Sequence, residues 1–214
     1  MKKLQIDIVS DVMCPWCIVG YKGLQKALQQ LAPDVQANIN WLPFELNPDM
    51  PNEGQNIKEH LIEKYGITEQ QSAQNSEMLK QRGKEVDFDF NFAPQMRMIN
   101  SFDCHRLLAW AKQQDKQHVL QMALFSAHFT QNMALNDRKN LIKIVASVGL
   151  DINTANDLLD SDAYAKQVRA EQKTSQERGI QAVPTFIINH QYSISGGQTA
   201  EAFQEILTDI VKKL

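Results

Sequence analysis

The residues of this chain best suited to chemistry are two cysteines separated by two residues, in the run Met13-Cys14-Pro15-Trp16-Cys17. A thiolate attacks a disulfide sulfur, and a second thiol one helical turn on can attack the mixed disulfide and release the product. Such a pair is equally half of a zinc site, which Cys104-His105 would complete. The neighbouring sequence favours redox chemistry, because zinc knuckles sit on loops whereas this pair stands where a strand passes into a helix.

The strand is Leu4-Gln5-Ile6-Asp7-Ile8, apolar at every second residue and extended by Val9 to about Ser10. After the cysteines, Ile18, Tyr21, Leu24, Leu28 and Leu31 recur at helical spacing until Pro33-Asp34. Cys14 therefore stands at a helix N-terminus, where unpaired N–H groups and the positive end of the dipole favour a thiolate. Pro15 suits the first helical turn, where a missing N–H costs nothing. Cys14 reads as the nucleophile and Cys17 as the resolving thiol. Trp16 adds no positive charge, so a disulfide short of the strongly oxidising extreme is expected. Val35 to Phe44 alternates again, giving a strand-helix-strand start with parallel strands.

Residues 47–56 hold two prolines and a glycine and read as a loop. Helices are expected at 57–65, 68–83, 100–113, 115–130, 137–148 and 163–178. Val119 to Phe129 is apolar nearly all round, as in a helix at the centre of a bundle. Phe88, Phe90 and Phe92 alternate, which fits either a short strand or a loop pinned by aromatics. Pro184 to Asn189 and Gln191 to Ser195 form a hairpin turning at Asn189-His190, and an amphipathic helix follows Gly196-Gly197.

The chain has 214 residues, 43% apolar and 22% charged, a globular composition that excludes disorder, collagen-like repeats and a disulfide-dense miniprotein. Its 22 basic and 25 acidic side chains leave a net charge of -3, with no basic footprint for nucleic acid. No apolar run approaches the roughly 18 residues of a membrane span, so a soluble protein without a membrane partner is expected. Asp7 and Asp11 interrupt any signal-like core near the start, so the expected compartment is the cytoplasm, where structural disulfides are rare.

A second motif lies at the other end: Val183-Pro184-Thr185-Phe186 opens a strand with a proline, which first strand positions also tolerate for purely structural reasons. An early cysteine pair with this late motif resembles the thioredoxin fold. More narrowly, MCPWC, PFELNP, NSFDCHRLLAWA, GIQAVPTFIIN and YSISGGQ resemble the FrnE-type branch of the DsbA family, cytoplasmic relatives of the periplasmic oxidase. The resemblance spans essentially the whole chain. It implies an α/β thioredoxin-like fold whose halves, 1–46 and 180–214, enclose a helical insertion, 47–179, that forms one wall of a substrate groove. It also implies that Pro184 is cis and packs on the cysteine pair, and that Val183 offers backbone groups to an extended substrate. Pro15, Trp16, Thr185 and Phe44 are expected beside that substrate.

His105 and Asn100 are further candidates for the site, His105 as a proton shuttle, although a lone helical histidine more often packs or caps. Cys104 reads as a small buried hydrophobe. His60, His118, His128 and His190 read as surface or core fillers. Met13, Trp16 and Phe44 suit either an apolar surface round Cys14 or the core, and Asp11 and Glu45 are acids that could relay protons. The expected partners are thiol- or disulfide-bearing polypeptides or small thiols, with no metal and no cofactor beyond the cysteine pair; monomer and dimer stay open. Kappa-class glutathione transferases and 2-hydroxychromene-2-carboxylate isomerase share the implied fold but place a serine where Cys14 stands. Glutathione remains a candidate reductant or ligand, held by Val183 and the helix N-terminus near Gly196-Gly197. A redox-inert binding or chaperone module is the third reading.

Overall fold

The computed structural model describes all 214 residues. In chain order the elements are β1 (Lys2–Ser10), α1 (Pro15–Leu31), β2 (Val35–Pro43), β3 (Gln55–Asn56), α2 (Ile57–Tyr65), α3 (Glu69–Glu85), β4 (Arg97–Met98), α4 (Phe102–Lys112), α5 (Gln117–Phe129), α6 (Arg138–Ser147), α7 (Ile152–Leu159), α8 (Ala165–Glu177), β5 (Thr185–Ile188), β6 (Tyr192–Ser195) and α9 (Ala200–Lys212). The two ends of the chain build one mixed sheet in the order β2-β1-β5-β6. β1 and β2 run parallel with Ile8 opposite Trp41, and α1 is the crossover that parallel strands require. On its other side β1 meets β5 antiparallel, Ile8 opposite Phe186.

Because β1 is central and covered on both faces, it stays buried from Ile6 to Ser10, and the expected polar alternation ends. Asp7 is drawn inside, where its carboxylate accepts from Gln5 Nε2 and Asn40 Nδ2, both at 2.9 Å. The β5–β6 hairpin turns through Asn189 and His190, both at positive φ, as a two-residue primed turn demands. At the outer edge of the sheet, the Gln117 side-chain amide pairs with both the N–H and the C=O of Trp41, at 3.0 Å each.

Six expected helices form, with ends moved by at most a few residues. A seventh, α7, was not expected. Asp151 starts it by accepting the Thr154 N–H at 2.7 Å, and only eight residues follow, too few for the periodicity to stand out. Residues 88–92 are a loop rather than a strand: Phe88, Phe90 and Phe92 pack on each other at 4.9 and 5.3 Å between centroids, and Phe90 meets Phe129 at 5.5 Å. The reading of 47–56 as loop holds except at its end, where Gln55 and Asn56 pair with β4.

Two cores share α5 as their wall. Phe125 and Phe129 join the sheet, α1 and α9, whereas Leu120, Leu124 and Ala127 join the helical block. That double use explains why α5 carries almost no polar face. No helix is long and apolar enough to cross a membrane.

Candidate active site

Cys14 caps the N-terminus of α1 with extended backbone angles and no side-chain capping bond, and Pro15 follows in the first turn. No acidic residue occupies that first turn, so no carboxylate within the helix offsets the positive end of the dipole at Cys14. Cys14 is 4% exposed, Cys17 is fully buried, and both are free thiols. The Cys14 thiol points at the Val183 carbonyl, 3.7 Å away. Val183–Pro184 is a cis peptide, and Pro184 is buried with its carbonyl accepting the Gly196 N–H at 2.8 Å. Residues 169 positions apart thus meet at the sulfur.

The two thiols stand one helical turn apart, the Cys17 N–H donating to the Cys14 carbonyl at 3.1 Å, and are close enough to influence each other's ionisation. Burial pushes the Cys17 thiol well above its ordinary pKa, the Cys14 sulfur adds to the rise, and the Ser10 side chain and Asp11 N–H oppose it. Cys17 is therefore held as the thiol, the form suited to waiting behind a nucleophile. Cys104 lies in the core of the helical block, its thiol also pushed up by burial first and then by the charges of Asp103 and Asp11. No three His, Cys, Asp or Glu side chains stand close enough to share a metal ion, which removes the zinc arrangement that Cys104-His105 would have completed.

The profile of the DSBA-like thioredoxin domain matches residues 5–208. The chain belongs to this family. A probable DsbA oxidoreductase from Streptomyces coelicolor is 28% identical and superposes with a TM-score of 0.93, over 99% of this chain and 91% of that one. An uncharacterised protein of Bacillus subtilis, YwbO, is 28% identical over 98% of both chains. A 2-hydroxychromene-2-carboxylate isomerase superposes with a TM-score of 0.70 over 98% of this chain and 97% of that one; at 14% identity it shares the fold alone.

In this DSBA-like chain the expected site residues separate into three groups. Pro15, Trp16 and Val183 are partly exposed around Cys14, and Phe44 and Val183 pack against the same small cluster of Val9, Ile180 and Ile187. Thr185 is turned inward: it is buried, and its hydroxyl donates to the Ala182 carbonyl at 2.8 Å, which shapes the loop instead of facing a substrate. His105 and Asn100 make no bond to the thiols. His105 is buried on α4 and its Nε2 donates to the Phe44 carbonyl at 2.8 Å. Asn100 accepts the Phe102 N–H at 2.9 Å and donates to Pro48, lining a cavity of about 510 Å³ with Phe102 and Arg169.

Met13 is core, 1% exposed within the helical block, and not part of an apolar surface. Glu45 is no free relay either, since its buried carboxylate holds Arg169 and accepts from Gln172 at 2.9 Å. His118 does more than fill space: it bonds Tyr21 at 3.0 Å and Trp41 at 3.2 Å, joining α1, β2 and α5. The N-terminus of α9, considered for glutathione, is capped by the Thr199 side chain and carries Glu201 in its first turn. Sequence reasoning missed Tyr65. It is 57% exposed at the end of α2, and its phenol is pushed up by burial of its inner part and then by the charge of Cys14. Nothing in the local pattern around residue 65 signals that influence.

Proposed function

We propose that this chain is a thiol–disulfide oxidoreductase acting through Cys14 and Cys17 on disulfide- or thiol-bearing polypeptides and small thiols. The observation that carries the reading is the placement of Cys14 at the N-terminus of α1, with the Cys17 sulfur in reach and the Val183 carbonyl beside it. The Cys14 thiolate attacks one sulfur of a substrate disulfide, forming a mixed disulfide and expelling the other sulfur as a thiolate. Cys17 then loses its proton to solvent or to the departing thiolate and attacks the Cys14 sulfur. The Cys14–Cys17 disulfide forms, the substrate is reduced by two electrons, and the reverse sequence oxidises a dithiol. Once Cys14 is bound in the mixed disulfide its charge no longer raises the Cys17 pKa, which eases loss of the Cys17 proton at the step that needs it.

Residence in the cytoplasm is part of the proposal, supported by Cys104, a third thiol with no partner. Glutathione enters as a small thiol substrate, not as a resident cofactor. The fold is shared with an isomerase, but a thiol stands where the resemblance places that enzyme's serine, and this favours exchange.

The test is equilibration of the purified protein in glutathione buffers of graded ratio, followed by insulin reduction and a chromene-isomerase assay. A reversible Cys14–Cys17 disulfide, with exchange abolished in Cys14→Ser, is expected. Isomerase turnover that survives Cys14→Ser, or no disulfide at any ratio, overturns the reading.

A further inference from the structure

Asp11, three residues before Cys14, is fully buried without a side-chain partner that neutralises it. Oδ1 accepts the Met13 N–H at 3.1 Å, Oδ2 accepts the Leu46 N–H at 2.7 Å, and its own carbonyl accepts the Cys14 N–H at 3.0 Å. The nearest cation candidate is His105, whose Nε2 lies 3.6 Å from Oδ1. That nitrogen also lies 2.8 Å from the Phe44 carbonyl, which can only accept, so it carries a proton already directed there.

The segment that Asp11 holds, Phe44 to Leu46, is gripped by the helical block at three points. His105 of α4 bonds the Phe44 carbonyl, and Arg169 and Gln172 of α8 bond the Glu45 carboxylate. Lys64 of α2 donates to the Leu46 carbonyl at 2.8 Å and to Asn47 at 2.6 Å. On its other side the segment meets β1, where the Phe44 N–H donates to the Ser10 carbonyl at 3.1 Å. Asp11 is the side chain that carries this grip into the loop bearing Cys14.

We propose that Asp11 is a positioning residue through which the helical block sets both the geometry and the redox balance of the cysteine pair. This rests on the thiol–disulfide reading. Two backbone N–H donors fix the loop so that Cys14 is delivered to the cap of α1. The buried negative charge, hydrogen-bonded to the residue next to Cys14, at the same time opposes a thiolate there, with little solvent to screen it. A structural carboxylate elsewhere in the core would hold a loop but leave the dithiol–disulfide equilibrium alone.

The experiment compares wild type with Asp11→Asn and Lys64→Met in glutathione redox buffers, and separately measures the rate of Cys14 alkylation at pH 7. Circular dichroism and thermal melting check the fold. Asp11→Asn is expected to shift the equilibrium toward the dithiol about tenfold, which is ~30 mV for a two-electron couple, and to speed alkylation. Lys64→Met, an exposed change that leaves the core intact, removes a nearby positive charge and is expected to shift both readouts two- to threefold in the opposite sense. A folded Asp11→Asn protein within twofold of wild type on both readouts overturns the proposal. Should Asp11→Asn not fold, an unshifted Lys64→Met overturns it. Absence of any disulfide in wild type sinks the redox reading instead, while the alkylation rates still report on Asp11.

Discussion

The Trp41 indole donates to Nδ1 of His118 at 3.2 Å, and because an indole N–H can only donate, that ring nitrogen is unprotonated. His118 is thus a neutral imidazole whose Nε2 carries the proton toward the Tyr21 hydroxyl at 3.0 Å. Burial, with a smaller part from Lys22, lowers the His118 pKa in agreement with that tautomer. Protonation would set two donors face to face between β2 and α5.

Acid should therefore begin to loosen the fold at a pH above the carboxylate range. His118, His60 and His128 all have pKa values lowered in the folded state, chiefly by burial, and His128 falls to about 4. The unfolded chain takes up these protons first, near the ordinary value of about 6.5. The stabilisation is complete above that pH and is lost as the pH falls toward 4, where His128 protonates in the fold too. His128 alone contributes on the order of 3 kcal/mol across the window. Urea midpoints measured from pH 7.5 to 4.5 should fall progressively, and a flat profile would contradict the assignment.

Alkylation should discriminate the three thiols. Burial raises both Cys17 and Cys104, whereas Cys14 sits at the helix terminus beside the partly exposed Trp16 and Val183. Brief iodoacetamide treatment at neutral pH, read by peptide mass spectrometry, should modify Cys14 first. In Cys17→Ser, substrate should stay trapped as a mixed disulfide on Cys14, because the thiol that releases it is gone. First labelling at Cys17 or Cys104 would reverse the roles.

Gly23→Ala tests how tightly α1 lies against the start of α9. A Cβ at Gly23 would stand 2.7 Å from the Gln198 carbonyl oxygen, a backbone atom that cannot swing aside. Although alanine is the better helix former by about 1 kcal/mol, overpacking costs typically 1–3 kcal/mol. The net cost of up to about 2 kcal/mol lowers the melting temperature by up to roughly 8 °C for a chain of this size. A rise in melting temperature would show that the two segments are free to separate.

The cysteine pair was legible because its chemistry is local: four consecutive residues, a strand before them and helical periodicity after. Pro184 was not legible on that basis. The Val183 carbonyl before it meets a sulfur 169 residues away in sequence, and only likeness to a family pointed to that meeting. Asp11 could be seen as an acid beside the cysteines, but not as a buried one, since burial depends on Leu46 and on three helices of the insertion. Thr185 shows the converse. It was expected at the substrate because it adjoins Pro184, yet residues alternate sides along a strand, and its hydroxyl turns back to Ala182. The helix α7 and the pairing of Gln55–Asn56 with Arg97–Met98 escaped notice because each is too short to show a period.

The sheet order has a consequence for how the molecule is made. The central strand β1 and the cysteine pair are synthesised first, but the neighbour that closes β1 on its second side, β5, follows only at residue 185. Until Val183 and β5 leave the ribosome, one side of Cys14 has no wall, while every helix of the insertion has already been translated. In a nascent chain Cys14 is thus the first of the three thiols to emerge, yet it waits for the last strands of the sheet before it is sheltered.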